Sequence, residues 1–116
     1  MDIGAVIIQL KPNTIKNVES WKNEINRRKI EALETLVAED VHIESWFCFE
    51  LNNQYYLMAY MRATDIAKAQ AIGRQSIFSI DVVHKAFKQN WEKVIPMQLL
   101  LDLENEDYID KKKPKY

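Results

Sequence analysis

At 116 residues, with 47% apolar and 28% charged side chains, the chain suits one folded domain with a single core. No apolar stretch approaches the ~20 residues that span a bilayer, and the start, Met1-Asp2-Ile3-Gly4, lacks the basic region and cleavage pattern of a secretory leader. Net charge is −1, and Lys111–Tyr116 hold 4 of the 16 basic residues, so 12 basic groups stand against 17 acidic ones elsewhere, a poor surface for nucleic acid. The single Cys48 cannot close an internal disulfide, which points to the cytoplasm.

Ile3 to Leu10 is an almost continuous apolar run, the composition of a central strand covered on both faces. Lys11-Pro12-Asn13 ends it, because proline cannot donate to a ladder, and Asn13 or Thr14 is placed to cap a helix. From Ile15 to about Ala38 the apolar residues Ile15, Val18, Trp21, Ile25, Leu33, Leu36 and Val37 recur at helical spacing. The basic run Arg27-Arg28-Lys29 has no interleaved aromatics and no glycine-rich loop, and reads as a solvated helix face.

Val41 to Arg62 reads as two alternating strands joined near Asn52-Asn53. A three-residue loop, Asn52-Asn53-Gln54, pairs Phe49 with Leu57 and Phe47 with Ala59 on one wholly apolar face. The other face then carries Cys48–Met58, Trp46–Tyr60 and a Glu44–Arg62 charge pair. A two-residue loop mixes the classes, so the longer loop is the expectation.

Thr64-Asp65 predicts a cap for a second helix from Ile66 to about Ile72, interrupted by Gly73. Ser76 or Ser79 opens a further helical stretch to about Lys93, with Ile80, Val83, Phe87, Trp91 and Val94 at helical spacing. Pro96 ends it, and Met97 to Leu103 is the predicted last strand. The remainder, acidic and then basic without periodicity, gives a domain over residues 1–104 and a flexible charged tail over 105–116.

The order β-α-β-β-α-β is the ferredoxin-like α+β plan, an antiparallel sheet of strand order 4-1-3-2 with helices on one face. The odd residues of the last three strands are expected to meet the helices. His42, Trp46, Cys48, Tyr56, Met58, Tyr60 and Leu100 would lie on the opposite face, too apolar to stand bare in water. Two such sheets facing each other predict a homodimer.

Lys11-Pro12, Leu33–Phe47 (LETLVAEDVHIESWF), Tyr56-Leu57, Tyr60, Arg62, Ser79–Phe87 (SIDVVHKAF), Trp91 and Leu100–Leu103 carry a resemblance that covers residues 3–104. On these residues the chain resembles a small bacterial family of unknown function within the dimeric α/β-barrel superfamily. That superfamily includes cofactor-independent quinone-forming monooxygenases, haem-degrading enzymes, muconolactone isomerases, sugar mutarotases and ligand-binding regulators. The resemblance implies the fold and the dimer, and no activity. The Asn that the haem-degrading pattern places on the first strand is missing from Ile3–Leu10.

Several residues could carry chemistry. Trp46, Tyr60, Glu44 and Arg62 predict a ligand pocket with an aromatic wall and a guanidinium for an anionic group; the plain alternative is a dimer core with a satisfied charge pair. His84 follows Asp81 by three residues, so an Asp-oriented His could act as general acid or base, or Asp81 could simply favour a helix start. His42 reads as a rim residue, Cys48 as a small buried apolar one, and Glu50 has no evident partner. His42, Glu44, Glu50, His84 and Asp102 offer ligand atoms at no metal-binding spacing, so no metal is expected. With glycine only at positions 4 and 73 there is no phosphate loop, and no cofactor is implied. The sequence therefore supports either a homodimeric small-molecule-binding protein or cofactor-independent enzyme, or a non-catalytic dimeric module.

Overall fold

Residues 2–10, the apolar run, form β1 (Asp2–Leu10), and in the computed structural model this strand lies inside a four-stranded sheet. The structure describes residues 1–105 and 107. The chain continues through α1 (Ile15–Arg27), α2 (Lys29–Glu39), the hairpin β2 (Val41–Leu51) and β3 (Gln54–Ala63), α3 (Ile66–Gln75), α4 (Ser79–Phe87), a 3-10 turn at Lys88–Asn90, and β4 (Trp91–Pro96). The strand order is β2-β3-β1-β4, as expected, and every neighbour is antiparallel.

Each connection holds two helices: the second has the two stretches expected from Ile66 and from Ser76 or Ser79, whereas the first divides the single helix expected over Ile15 to about Ala38. The first breaks at Arg28 (φ −111°, ψ 38°), whose backbone N–H donates to the Glu24 and Ile25 carbonyls. The Arg28 guanidinium holds that junction, reaching both Glu31 oxygens at 2.7 Å and Ser79 Oγ at 2.9 Å. Its side chain is only 14% exposed, so of the basic run Arg28 is a structural clasp and not part of a solvated face. In the second connection Asp65 caps α3 by accepting from Lys68 N–H at 3.0 Å, and the helix runs through Gly73 without a break. A methyl group at Gly73 would come within 2.9 Å of Glu39 Oε1, so a close approach explains this glycine.

The end of the chain is also redistributed. The helix expected to reach Lys93 stops at Phe87, and the last strand is Trp91–Pro96; Met97–Leu103, expected as that strand, has no regular secondary structure. Asn90 makes the difference: its side chain donates to the Phe87 carbonyl, and its own carbonyl accepts from Lys11 N–H, both at 2.9 Å, which turns the chain so that Trp91 pairs with Leu10. Pro96 is tolerated because β4 is an edge strand. Of the predicted tail, residues 106 and 108–116 lie outside the described residues.

The hairpin takes the register that the sequence reading set aside. Asn52 (φ 52°) and Asn53 (φ 60°) are both left-handed, which makes a two-residue loop whose twist matches the flanking strands. Leu51 faces Gln54, Cys48 faces Leu57, Phe47 faces Met58, and Trp46 faces Ala59. Moving β2 by one residue exchanges its two faces. Trp46 therefore packs with the helices, whereas Phe47, Phe49 and Leu51 stand on the open face with Tyr56, Met58 and Tyr60. Phe49 and Tyr56 stack there with centroids 5.1 Å apart. The register shifts at His42, between Val41 and Ile43, and this returns Val41 to the interior.

Two apolar clusters fill the space between sheet and helices. Ile8, Leu10, Leu57, Val18 and Phe87 form the larger, with Trp21, Trp46 and Trp91 against it. Val41, Ala63 and Ala69 form the smaller, with Leu36, Met61 and Ile66. Each fully buried Ile or Leu contributes roughly 1.5–3 kcal/mol from removal of its surface from water.

Candidate functional site

A cleft of about 840 Å³ opens between the helices and the sheet and takes lining residues from both apolar clusters, Trp21 and Trp46 from one and Leu36, Met61 and Ala69 from the other. Its polar lining includes Glu44 from β2, Thr35 and Glu39 from α2, and Asp81, His84 and Lys88 from α4 and the turn after it, with Asn26, Lys29, Gln70, Arg74 and Lys85 contributing as well. Glu44 reaches it because the two-residue hairpin turns even-numbered β2 side chains inward. Glu39 reaches it because α2 ends on a left-handed Asp40 (φ 55°), while the bare surface of Gly73 leaves room for the carboxyl.

At the centre the Trp46 indole N–H donates to Glu44 Oε1 at 2.9 Å. The Trp46 ring meets Trp21 edge-on, centroids 5.0 Å apart, and His84 edge-on at 5.4 Å. Trp21 in turn stacks on Phe87 at 4.4 Å, and Trp91 closes a further side of His84 at 6.4 Å. The buried Nε1 atoms of Trp21 and Trp91 have no hydrogen-bond partner among the described residues.

This setting displaces three titratable groups. Withdrawal from water, with the Lys88 charge adding to it and Asp81 opposing, brings His84 down to about 4, so its imidazole is neutral at pH 7. Withdrawal from water also raises the Glu44 carboxyl, against the Trp46 hydrogen bond. Glu39 rises to about 7, first through burial and then through the nearby Asp81 and Glu44 charges. No ion pair is made by Glu39, Glu44 or Asp81 among the described residues. The Glu39 carboxyl, close to half-protonated at pH 7, can give and take a proton there, while the neutral His84 imidazole offers a hydrogen bond.

The sequence-derived candidates divide between two faces. Glu44, Trp46, Asp81 and His84 all line the cleft. Asp81 does not orient His84, since its carboxylate takes the Ser76 hydroxyl and makes no hydrogen bond to the imidazole. Tyr60 and Arg62 lie on the opposite sheet face, facing Ser45 and Ile43, so neither expected cross-strand pair forms. Arg62 instead donates to Tyr60 Oη at 2.5 Å, Asp102 at 2.5 Å and Glu104 at 2.6 Å. Cys48 is exposed, its thiol pKa raised by partial desolvation and by Glu19, which disfavours a thiolate nucleophile. His42 is an exposed rim residue bonded to Thr64 Oγ1 at 3.1 Å, and Glu50 does have a partner, the Tyr55 hydroxyl.

Glu39, Thr35 and Lys88 escaped the sequence reading, and Trp21 was read there only as an apolar position of the first helix. Gly73 carried the one usable signal, because a lone glycine inside a helical pattern marks a close approach. Among the described residues no group of three or more His, Cys, Asp or Glu is placed to hold a metal ion, and no helix is long and apolar enough to cross a membrane. The model of DUF6176, a family of unknown function, matches residues 1–113, and no curated protein matches the chain.

Proposed function

The chain belongs to this family of unknown function, and from its cleft we propose that it binds a small organic molecule between helices and sheet and exchanges protons with it without a cofactor. One observation carries this reading: a cleft of about 840 Å³ in which Trp46 meets both Glu44, through its indole hydrogen bond, and His84, through an edge-on ring contact. Its volume is in the range of small-molecule sites, and its walls have the usual make-up of apolar surface with a few convergent polar groups. Trp21 and Trp46 suit a flat ligand. Glu39 and Glu44 serve a ligand hydroxyl or protonated nitrogen, Glu39 exchanges the proton, and neutral His84 offers a hydrogen bond. Intrinsic fluorescence is the direct test, because Trp21 and Trp46 line the cleft and Trp91 adjoins it. A screen of small metabolites should yield a saturable fluorescence change that is lost in Glu44→Gln and His84→Gln. Binding that survives both substitutions places the ligand elsewhere.

A second reading concerns the open sheet face. Phe47 and Leu51 are 56% and 55% exposed there, and from this apolar surface we infer an interface with a partner. The dimeric α/β-barrel resemblance supports a homodimer through it. In such a dimer Tyr60 and Arg62 would border the space between the two sheets, the other place for a ligand. A dimer with no ligand at either place would be a non-catalytic module, and the single Cys48 fits a cytoplasmic one.

A further inference from the structure

The cleft is lined by charge of the sign opposite to the rest of the chain. Outside Lys111–Tyr116, which hold 4 of the 16 basic residues, 12 basic residues stand against 17 acidic ones. Four of those 12 line the cleft, Lys29, Arg74, Lys85 and Lys88, but only three of the 17, Glu39, Glu44 and Asp81. Lys85 serves the fold, its ammonium donating to the Arg74 and Ser76 carbonyls at 2.9 and 3.2 Å. The Asp81 carboxylate is likewise engaged, by the Ser76 hydroxyl. Lys29, Arg74 and Lys88 are exposed and form no ion pair among the described residues. A recess with apolar walls and unmatched cations concentrates anions.

Lys88 looks onto the interior of the cleft. Its ammonium stands over the Trp91 ring, 5.5 Å from the centroid, and Trp91 adjoins His84. Its charge acts on Glu39, Glu44 and His84 alike, yet it pairs with neither carboxylate. A gap therefore separates a held cation from two acids. Trp46 occupies Glu44 Oε1 and leaves Oε2 to accept another donor.

We propose that the ligand of this cleft is a flat hydroxy acid, its carboxylate on Lys88 and its hydroxyl donating to Glu44, with Lys29 and Arg74 drawing the anion in. The inference rests on the small-molecule reading of the cleft and supplies the chemical class of the ligand. A cationic ligand group in place of the carboxylate would meet Lys88 as a like charge, and a wholly neutral ligand would leave all three cations unmatched.

Isothermal titration calorimetry tests this with 4-hydroxybenzoate and 6-hydroxy-2-naphthoate, each beside its primary amide, which keeps the shape and the hydroxyl and removes the charge. At pH 7 at least one acid should bind ~10-fold or more tighter than its amide. Lys88→Met keeps a flexible stem beside Trp91 without the charge and should remove that preference, and Lys88→Arg should restore most of it. Glu44→Gln should weaken acid and amide alike, because both carry the hydroxyl. Equal affinities for acid and amide, or a preference that survives Lys88→Met, overturn the anionic ligand and leave the cleft reading standing. No binding of either acid at ~5 mM also overturns it, and the fluorescence screen then decides separately whether any small molecule occupies the cleft.

Discussion

Trp46 donates its indole N–H to the Glu44 carboxylate at 2.9 Å, two residues along the same strand, and so holds the cleft's innermost acid against its aromatic wall. Trp46→Phe keeps an aromatic ring and removes the donor. A partly buried carboxylate left without this partner should destabilise the fold by ~1–3 kcal/mol and move the Glu44 pKa further up. Urea unfolding and carboxyl titration by NMR measure the two effects; no change in either would show that the bond is not formed in solution.

His84 makes stability depend on pH. Its folded pKa of about 4 lies below the ordinary 6.5, so the contribution is fully present above 6.5 and is lost as pH falls through the folded value. The full loss is about 3 kcal/mol, and roughly 2 kcal/mol should have gone by pH 5. His84→Phe should flatten this limb of the profile. A wild-type imidazole that titrates near 6.5 by NMR would refute the enclosed setting.

Glu39 acts in the opposite direction. Its folded pKa of about 7 exceeds the ordinary 4.5, so its contribution is present below 4.5 and disappears as pH rises toward and through 7. Glu39→Gln should therefore melt higher than wild type at pH 8 and no higher at pH 4. Equal gains at both values would mean that packing, and not charge, explains the substitution.

Gly73→Ala places a methyl group 2.9 Å from Glu39 Oε1. The obstructed atom ends a flexible side chain, so the carboxyl can swing away, and the better helix propensity of alanine offsets the strain by up to about 1 kcal/mol. Stability should change little while the Glu39 pKa falls toward its ordinary value and ligand affinity drops. A large loss of stability with Glu39 unmoved would contradict this account.

At the hairpin, Asn53→Val should destabilise by ~1–2 kcal/mol because a β-branched side chain resists positive φ. Asn53→Gly should be neutral or better. Thermal melts of both variants decide whether the two-residue loop sets the register.

The sequence was most legible where composition and burial agree. The almost continuous apolar run Ile3–Leu10 marked an inner strand, and the strand order followed from the β-α-β-β-α-β plan. It misled where one residue decides between two patterns. Two adjacent asparagines can each take the left-handed conformation, so loop length was open, and a difference of one residue sent Trp46 inward and Phe47 outward. Trp91 continued the helical spacing of Val83 and Phe87, yet it starts a strand, because the turn at Asn90 depends on Lys11, far away in sequence. Glu39 and Arg28 were illegible for the same reason: their settings come from Gly73 and Ser79, on other helices.

The irregularity at His42 has a wider consequence. Alternation alone would send Val41 and Glu44 to opposite sides of the sheet, an odd and an even position on one strand. The register shift at His42 resets the phase, so the same strand gives the interior both a hydrophobic anchor and, three residues later, the acid of the cleft. Deleting His42 should therefore leave both in place, since in the shortened strand Val41 and Glu44 stand two positions apart and plain alternation puts them on the same side.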